Sequence, residues 1–347
     1  MEAKLDLKSM LPGELEAFVT ENGCPRFRAK QIGEWLKKGV SDFDEMRNLP
    51  AELRELLKTS CYISVANIEK KLVSRYDKTV KYLFSFGDGE CVEAVVMEYR
   101  HGSTICISTQ VGCKMGCTFC ATGQGGFVRD LTASEMLAQI EAAQRDLGLR
   151  LSGAVLMGMG EPLDNLDNVL RFIELATSPE GLNLGARHIT LSTCGIVPKI
   201  YELMSRRLQI NLAVSLHAPN DQIRRRTMPV ARAYPMDGLL EACREYFKTT
   251  GRRVTFEYAL ISGVNDSDAC ARELAERLSG MGCHVNLIPV NSVSGTGYTK
   301  SDLKRQRSFV NILAERHIAA TVRRTLGSDI NASCGQLRGN HLKKGGQ

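Results

Sequence analysis

The stretch Cys113-Lys-Met-Gly-Cys117-Thr-Phe-Cys120 places three cysteines at spacings of four and three within eight residues. Thiolates this close in sequence are able to converge on one centre, and soft sulfur ligands select zinc, copper(I) or iron–sulfur clusters. Structural zinc normally has four protein ligands, yet the chain contains no second Cys-x-x-Cys, and His101 is the only histidine nearby. Three cysteines on a cubane leave one iron open to a small molecule, which predicts a reaction centre. Buried packing cysteines, or zinc with a distant fourth ligand, remain as alternatives.

The cluster stretch and its flanks resemble a known family. The pattern Cys-x-x-x-Cys-x-x-Cys, with Phe119 before its last cysteine, resembles the cluster loop of radical S-adenosylmethionine (SAM) enzymes. Four more segments narrow this to the RlmN/Cfr family of RNA adenine methyltransferases. These segments are Gln110-Val-Gly-Cys113, Ala121-Thr-Gly-Gln124, Gly158-Met-Gly-Glu-Pro162 and Ser333-Cys-Gly-Gln-Leu337. The resemblance runs over nearly the whole chain and implies a [4Fe-4S] cluster on Cys113, Cys117 and Cys120.

Length and composition bound the class of protein. The chain has 347 residues, of which 43% are hydrophobic and 24% are charged, as is ordinary for a globular protein with a substantial core. No basic start leads into an apolar run, and no stretch approaches the roughly 18 apolar residues of a membrane span. We therefore expect a cytoplasmic protein with no membrane partner. Twelve cysteines in so long a chain predict no disulfide framework.

The charge balance is only mildly basic. Lysine and arginine total 45 against 39 acidic residues, a difference of 6 positive charges. The positive charges cluster in sequence at Arg224-Arg-Arg226, Arg252-Arg253, Arg323-Arg324 and Lys343-Lys344. Such clusters bind phosphates by counterion release, although charge runs are more commonly solvated faces. Charge alone leaves RNA binding open.

Periodicity divides the chain into three kinds of segment. Residues 8–60 carry helical stripes, residues 62–108 are rich in β-branched and aromatic residues, and strand-like and helix-like segments alternate afterwards. Thr132-Ala-Ser-Glu135 is a capping box that predicts a helix to about Leu147. We predict an α/β fold: a partial parallel (β/α)6-type barrel with a small N-terminal helical accessory domain and an antiparallel β extension. The expected divisions are 1–60, which we assign to RNA binding, 61–98 for the extension, 99–335 for the barrel and 336–347 for a C-terminal tail.

The carboxyl ends of parallel barrel strands carry the chemistry. The cluster loop follows the first predicted barrel strand, and Gly158-Met-Gly-Glu-Pro162 follows the second, where glycines permit close approach of a ligand. The resemblance implies that Gly160 and Glu161 contact the amino group of SAM. It implies further SAM contacts from Ser192, Ser215, Leu216, His217 and Asn291.

The family's target explains why radical chemistry is needed. Carbon 2 of adenine is electron-poor and has no lone pair, so direct attack on a SAM methyl group is blocked. The resemblance implies that one SAM methylates Cys334, and that a 5′-deoxyadenosyl radical from a second SAM activates this methyl group for addition to the base. It also implies that Cys106 resolves the protein–RNA link through a transient disulfide with Cys334, while Glu93 handles the proton at carbon 2. The residues alone favour the interpretation of Cys106 as a buried strand residue.

Partners follow from the same resemblance. It implies 23S ribosomal RNA, the tRNA adenosine next to the anticodon, and an external flavodoxin-like or ferredoxin-like electron donor. We expect a monomer. Gln110-Val-Gly112 and Pro162 favour the carbon-2 branch over the carbon-8 branch that confers antibiotic resistance. An alternative of another class is a non-catalytic, zinc-stabilised RNA-binding protein.

Overall fold

A computed structural model describes residues 4–100, 102–290, 297–330, 332 and 337–338. These residues form eleven α-helices, which we number in chain order. The helices are α1 Pro12–Glu21, α2 Phe27–Lys37, α3 Ala51–Ser60, α4 Ala121–Gln124, α5 Ala133–Leu147, α6 Leu166–Thr177, α7 Val197–Ser205, α8 Asp221–Thr227, α9 Met236–Thr250, α10 Asp268–Arg277 and α11 Leu303–Glu315. None of the helices in this part of the chain combines the length and apolar character that a bilayer crossing needs.

The same residues form fourteen strands. The strands are β1 Leu5–Asp6, β2 Cys61–Tyr62, β3 Asn67–Val73, β4 Val80–Ser85, β5 Cys91–Tyr99, β6 Gly102–Cys106, β7 Gln110–Gly112, β8 Phe127–Asp130, β9 Gly153–Leu156, β10 Ile189–Thr193, β11 Asn211–Ser215, β12 Val254–Leu260, β13 Cys283–Pro289 and β14 Ala319–Val322.

Ten of these strands make one sheet, in the order β14-β13-β12-β11-β10-β9-β6-β5-β4-β3. The seven strands from β6 to β14 in this order pair in parallel, and helices fill the connections between them. Strands β3, β4 and β5 pair antiparallel and extend the sheet beyond β6. The predicted partial parallel barrel with an antiparallel extension is confirmed.

The sheet has two different faces, because side chains alternate along each strand. One face packs against the helices, and the other carries polar groups of β11, β12 and β13. On the apolar face, Leu156, Leu191 and Phe256 join the main core together with residues of α5, α6 and α9. In-register neighbours on the other face carry polar side chains. Ser215 pairs with Glu257, and Glu257 pairs with Asn286. The parallel strands thus present functional groups on the side away from the helices.

The N-terminal helices have a core of their own. Apolar residues between Leu7 and Cys61 form a cluster that is separate from the main core. Buried Lys8 pairs with Glu141 of α5, and Ser134 at the start of α5 donates to Asp6. This separate cluster supports the proposed accessory domain at 1–60, whose boundaries stay a prediction.

The strands of the extension differ from the prediction in one place. Within the β-rich stretch, the run Ile63-Ser-Val-Ala-Asn-Ile68 predicts a strand, but β3 spans Asn67–Val73. Strand β3 is the exposed edge of the sheet, so it needs no apolar alternation, and its lysines face solvent. Apolar periodicity therefore misplaced it. In contrast, the capping box formed as expected, because Thr132 and Glu135 each accept the other's backbone N–H at the start of α5.

Candidate active site

A small two-stranded ribbon carries the cysteine stretch. Strands β7 and β8 pair antiparallel, and the loop from Cys113 to Gly126 lies between them. Cys113 N donates to Gly126 O at 2.8 Å and closes the neck of the loop. Gly112 has a φ of +82°, and a Cβ there would lie 1.9 Å from Gly126 O, so only glycine fits. The loop is thus held apart from barrel strand β6, which was expected to lead directly into it.

The three thiols offer a donor set that fits an iron–sulfur cluster. All three are partly buried, and the charges of Cys113, Cys117 and Cys120 affect one another. Burial raises the pKa of Cys113 to about 11 and that of Cys117 to about 12. In the described residues no group of three His, Cys, Asp or Glu side chains is gathered closely enough to hold a metal ion. Each cysteine would bind a different iron of a four-iron cluster, so the three sulfurs need not converge on one metal ion. Cluster binding requires the thiols to lose their protons, which makes loading pH-dependent.

The cysteine loop packs against the carboxyl ends of two barrel strands. Thr118 N donates to Thr227 O of α8 at 2.9 Å, and the Thr118 hydroxyl lies 2.9 Å from that of Tyr298. The ring of Phe119 meets the ring of His217 edge-on, with centroids 4.9 Å apart. The loop therefore sits over the ends of β10 and β11, where the SAM residues were predicted.

Gly158-Met-Gly-Glu-Pro162 packs against the chain that follows β6. A Cβ at Gly158 would lie 2.5 Å from Ile107 O, and one at Gly160 would lie 2.6 Å from the Gln110 Cβ. Gly160 also has a φ of +105°. Close packing within the protein therefore requires glycine at both positions, and the same two glycines also leave room for a ligand to approach.

Buried Gln110 organises this turn. Its Oε1 accepts from Glu161 N at 2.8 Å, and its Nε2 donates to Asp130 and Asp164. Asp164 in turn pairs with Lys114 of the cysteine loop at 2.9 Å. One side chain therefore joins the glycine turn to the ribbon below the cysteines.

Glu161 is fully buried beneath the loop. Its carboxylate accepts from Cys194 N at 2.7 Å and from Leu163 N at 3.0 Å. Burial raises the pKa of this carboxyl, although these hydrogen bonds oppose the rise. Glu161 thus ties the turn after β9 to the turn after β10, and its contact with SAM stays a prediction.

His217 follows β11 in a left-handed conformation with a φ of +55°. Its Nδ1 accepts from Ala259 N at 2.9 Å, so its proton lies on Nε2. Burial, and secondarily the charge of Arg224, lower its pKa to about 3. The imidazole is therefore neutral at physiological pH.

The other predicted SAM residues are also near these strand ends. Ser192 lies in β10, Ser215 ends β11, and buried Leu216 follows it. Asn291 lies outside the described residues.

The sequence analysis missed Glu257, although a carboxylate within the apolar run Val254-Thr-Phe-Glu-Tyr258 was the available signal. It is buried beside Ser215, accepts from Asn286 Nδ2 at 2.8 Å, and burial raises its pKa.

Glu93 lies on β5 and is wholly buried. Its Oε2 is 2.9 Å from Lys81 Nζ, and its Oε1 accepts from Arg338 N at 2.7 Å. The Arg338 guanidinium pairs with Glu90 at 2.9 Å. The predicted proton-handling residue is thus joined to the C-terminal chain that follows Cys334.

Cys106 ends β6 and lines a cavity of about 220 Å³ on the side of the sheet away from the main core. Apolar side chains of Met97, Met157 and Ile288 line it as well, with Arg323 and Arg324 among its polar residues. Ala332, two residues before Cys334, also lines the cavity. Cys334 itself lies outside the described residues.

Two aspartates anchor the chain that leads to Cys334. Asp77 accepts from Gly327 N at 2.8 Å, while Asp329 accepts from Ser74 Oγ at 2.7 Å and from Arg75 N at 2.8 Å. The turn between β3 and β4 therefore holds the approach to Cys334 against the β extension.

Comparison with known proteins identifies the class first. Residues 107–278 match the family model described as "Radical SAM superfamily", which agrees with the barrel and the cysteine loop. The chain is a radical SAM protein. Residues 5–63 match the model described as "Ribosomal RNA large subunit methyltransferase N-terminal domain".

Relatives at high identity give the particular family. A "Probable dual-specificity RNA methyltransferase RlmN" from Alkaliphilus oremlandii is 54% identical over 98% of this chain and 99% of its own. The protein of the same name from Clostridium tetani is 53% identical over 95% of each chain. The crystal structure of a radical SAM methyltransferase from Sphaerobacter thermophilus is 46% identical, with a TM-score of 0.90 over 96% of this chain and 98% of its own. The chain therefore belongs to the RlmN family of radical SAM RNA methyltransferases, whose cofactors are a [4Fe-4S] cluster and SAM.

Proposed function

We propose that this protein methylates carbon 2 of a specific adenosine in 23S ribosomal RNA and of the adenosine next to the anticodon in tRNA. The observation that carries the proposal is the cavity of about 220 Å³ that Cys106 lines, next to the chain leading to Cys334. A cavity of roughly 150 Å³ holds benzene, so this one suits a single purine base that has left its stack.

RNA binding is supported from two directions. The N-terminal model names a ribosomal RNA methyltransferase domain, and the relatives' names specify dual specificity for RNA. Arg323 and Arg324 line the cavity as cations suited to the phosphates on either side of a flipped nucleotide. Residues 1–60 serve as the accessory RNA-binding domain.

When bound, the cluster and SAM would supply methyl groups and a carbon-centred radical, with two SAM molecules used per turnover. Cys113, Cys117 and Cys120 hold the cluster. The SAM molecule binds to Gly160, Glu161, Ser192, Ser215, Leu216, His217 and Asn291.

This chain's own residues then form and resolve the link to RNA. Cys334 carries the methyl group, which would lose one hydrogen atom to the radical derived from SAM. The remaining methylene carbon would bridge the Cys334 sulfur and carbon 2 of the base. Attack of the Cys106 thiolate on the Cys334 sulfur forms a disulfide and breaks the sulfur–carbon bond, whose electron pair and one proton complete the new methyl group. Glu93 accepts the proton that leaves carbon 2, and the one electron left on the base after radical addition would pass back to the cluster. External thiols then reduce the disulfide.

The remaining partners follow from this chemistry. A flavodoxin-like or ferredoxin-like protein supplies the electron, and the enzyme acts as a monomer in the reducing cytoplasm.

Anaerobic incubation of reconstituted protein with SAM, a reductant and protein-free ribosomal RNA or tRNA tests the proposal, with mass spectrometry of the nucleosides as readout. We expect 2-methyladenosine from both RNAs. The Cys334→Ala protein is the control, and it should retain iron and sulfide but form no product. Formation of 8-methyladenosine would overturn the carbon-2 assignment. A wild-type protein that holds iron and sulfide but modifies neither RNA would overturn the substrate assignment.

A further inference from the structure

Arg224 is a buried cation beside the cysteine loop. It lies in α8, and its side chain is among the largest that are fully buried. Its Nη2 donates to Cys194 O at 2.7 Å and its Nη1 to Tyr234 O at 3.3 Å. These partners are neutral carbonyl groups. Its Nε has no hydrogen-bond partner in the described part of the chain.

The guanidinium has no close counter-charge of its own. Among the described residues, none of the ion pairs with an N–O distance of 4.0 Å or less involves Arg224. Asp221, one helical turn earlier, acts on it only at longer range, and its carboxylate accepts from Met236 N. A buried charge without a partner is costly, and burial accordingly lowers the pKa of Arg224. An anion placed close to Arg224 would therefore stabilise its charge.

The cysteine loop, which is proposed to hold the anionic cluster, packs close to Arg224. Cys194, whose carbonyl Arg224 binds, packs in one apolar cluster with Cys117 and Phe119. Thr118 N of the cysteine loop also donates a hydrogen bond to Thr227 O of helix α8. The buried cation and the cysteine loop thus share one compact, apolar environment.

We propose that Arg224 is the internal counter-charge of the iron–sulfur cluster and raises its reduction potential. A cluster on three thiolates carries net negative charge, which grows by one on reduction. A fixed positive charge nearby stabilises the reduced form more than the oxidised form, most strongly where water is excluded. This inference rests on the proposed ligation by Cys113, Cys117 and Cys120.

The neighbouring arginines provide a matched control. Arg225 and Arg226 lie on the same short helix but are exposed, so solvent screens their charges. Arg224→Gln removes the charge and keeps one donor for Cys194 O, whereas Arg224→Lys keeps the charge. Arg225→Gln removes one screened charge.

The test is a redox titration of the reconstituted cluster without SAM, followed by electron paramagnetic resonance. We expect R224Q to shift the midpoint to more negative potential, while R224K and R225Q stay close to wild type. A wild-type midpoint in R224Q would overturn the role of Arg224. If R224Q binds no cluster, the iron content of the two Arg224 variants is compared instead. Iron retained in R224K supports a requirement for the charge. Iron lost in both variants points to a purely structural role and would overturn the proposal.

A second measurement separates charge from packing. Urea unfolding of the cluster-free and cluster-loaded proteins gives the stabilisation that the cluster adds. We expect this gain to be smaller in R224Q than in wild type, and an equal gain would contradict the proposal. If the wild-type protein binds no iron on reconstitution, the proposed ligation fails, which is distinct from a failure of Arg224 alone.

Discussion

Lys81 and Glu93 form an ion pair inside the antiparallel extension, with Lys81 Nζ 2.9 Å from Glu93 Oε2. Their side chains are 1% and 0% exposed. Leu83 of β4 pairs with Glu93 of β5. Lys81, two residues before Leu83, therefore lies diagonally opposite Glu93 on the same face of the sheet. The pair also reaches the C-terminal chain, because Glu93 accepts from Arg338 N.

Replacing Lys81 with methionine should destabilise the protein by about 3–5 kcal/mol, because the Glu93 carboxylate is then buried without its cation. Urea unfolding of the cluster-free protein measures this. The double variant Lys81→Met/Glu93→Gln should lose less than Lys81→Met alone. A double variant that is less stable than the single one would show that the ion pair is not the source of the effect.

Cys106→Ala should accumulate protein covalently joined to RNA, because the link to Cys334 then has no resolving thiol. Denaturing gel electrophoresis of protein incubated with SAM, reductant and RNA detects the adduct. Cys283→Ala is the control, since Cys283 is similarly buried but starts β13 on the core side. Normal turnover by Cys106→Ala would refute the resolving role.

Gly160→Ala should destabilise the protein by roughly 1–3 kcal/mol, since its φ is +105° and a Cβ would lie 2.6 Å from the Gln110 side chain. It should also weaken SAM binding, measured by equilibrium dialysis. Gly238→Ala in α9 is the matched control. A Cβ there meets nothing within 4 Å, so a stability gain of roughly 0.4–1 kcal/mol is expected. Wild-type stability and SAM affinity in Gly160→Ala would contradict the account of this turn.

His217 makes the fold sensitive to acid. Its folded pKa is about 3 against an ordinary value of 6.5, so below about pH 6.5 the unfolded chain takes up a proton that the folded chain excludes. The stabilising effect of neutral His217 is therefore complete above pH 6.5 and is lost as the pH falls toward 3. The slope is about 1 kcal/mol per pH unit.

His217→Asn should flatten this part of the stability profile. Asparagine tolerates the left-handed backbone and retains an acceptor for Ala259 N. Urea unfolding between pH 6.5 and 4.5, on cluster-free protein, measures the slope relative to wild type. His317→Asn controls for the substitution, because exposed His317 has a similar φ of +59°. Equal slopes in wild type and His217→Asn would remove His217 as the cause.

Local interactions made much of this protein predictable from its sequence. The cysteine spacing, the Thr132–Glu135 capping box and the alternation of strands and helices depend on residues a few positions apart. They predicted the partial parallel barrel, the start of α5 and the loop that bears the cysteines. The position of edge strand β3 was predicted wrongly because both of its faces are exposed to solvent. Such a strand lacks the apolar periodicity that indicates a strand in a sequence.

Tertiary structure alone decided which distant groups meet and which lose water. Glu93 and Arg338 are 245 positions apart in sequence, yet they share a hydrogen bond. Nothing local distinguishes Arg224 from Arg225, and only packing buries the first and leaves the second in solvent. Desolvation then turns an ordinary arginine and an ordinary histidine into groups with shifted pKa values. The burial and the charge state of a site residue depend on the whole fold, whereas ligand spacing and helix caps are determined by short stretches of the chain.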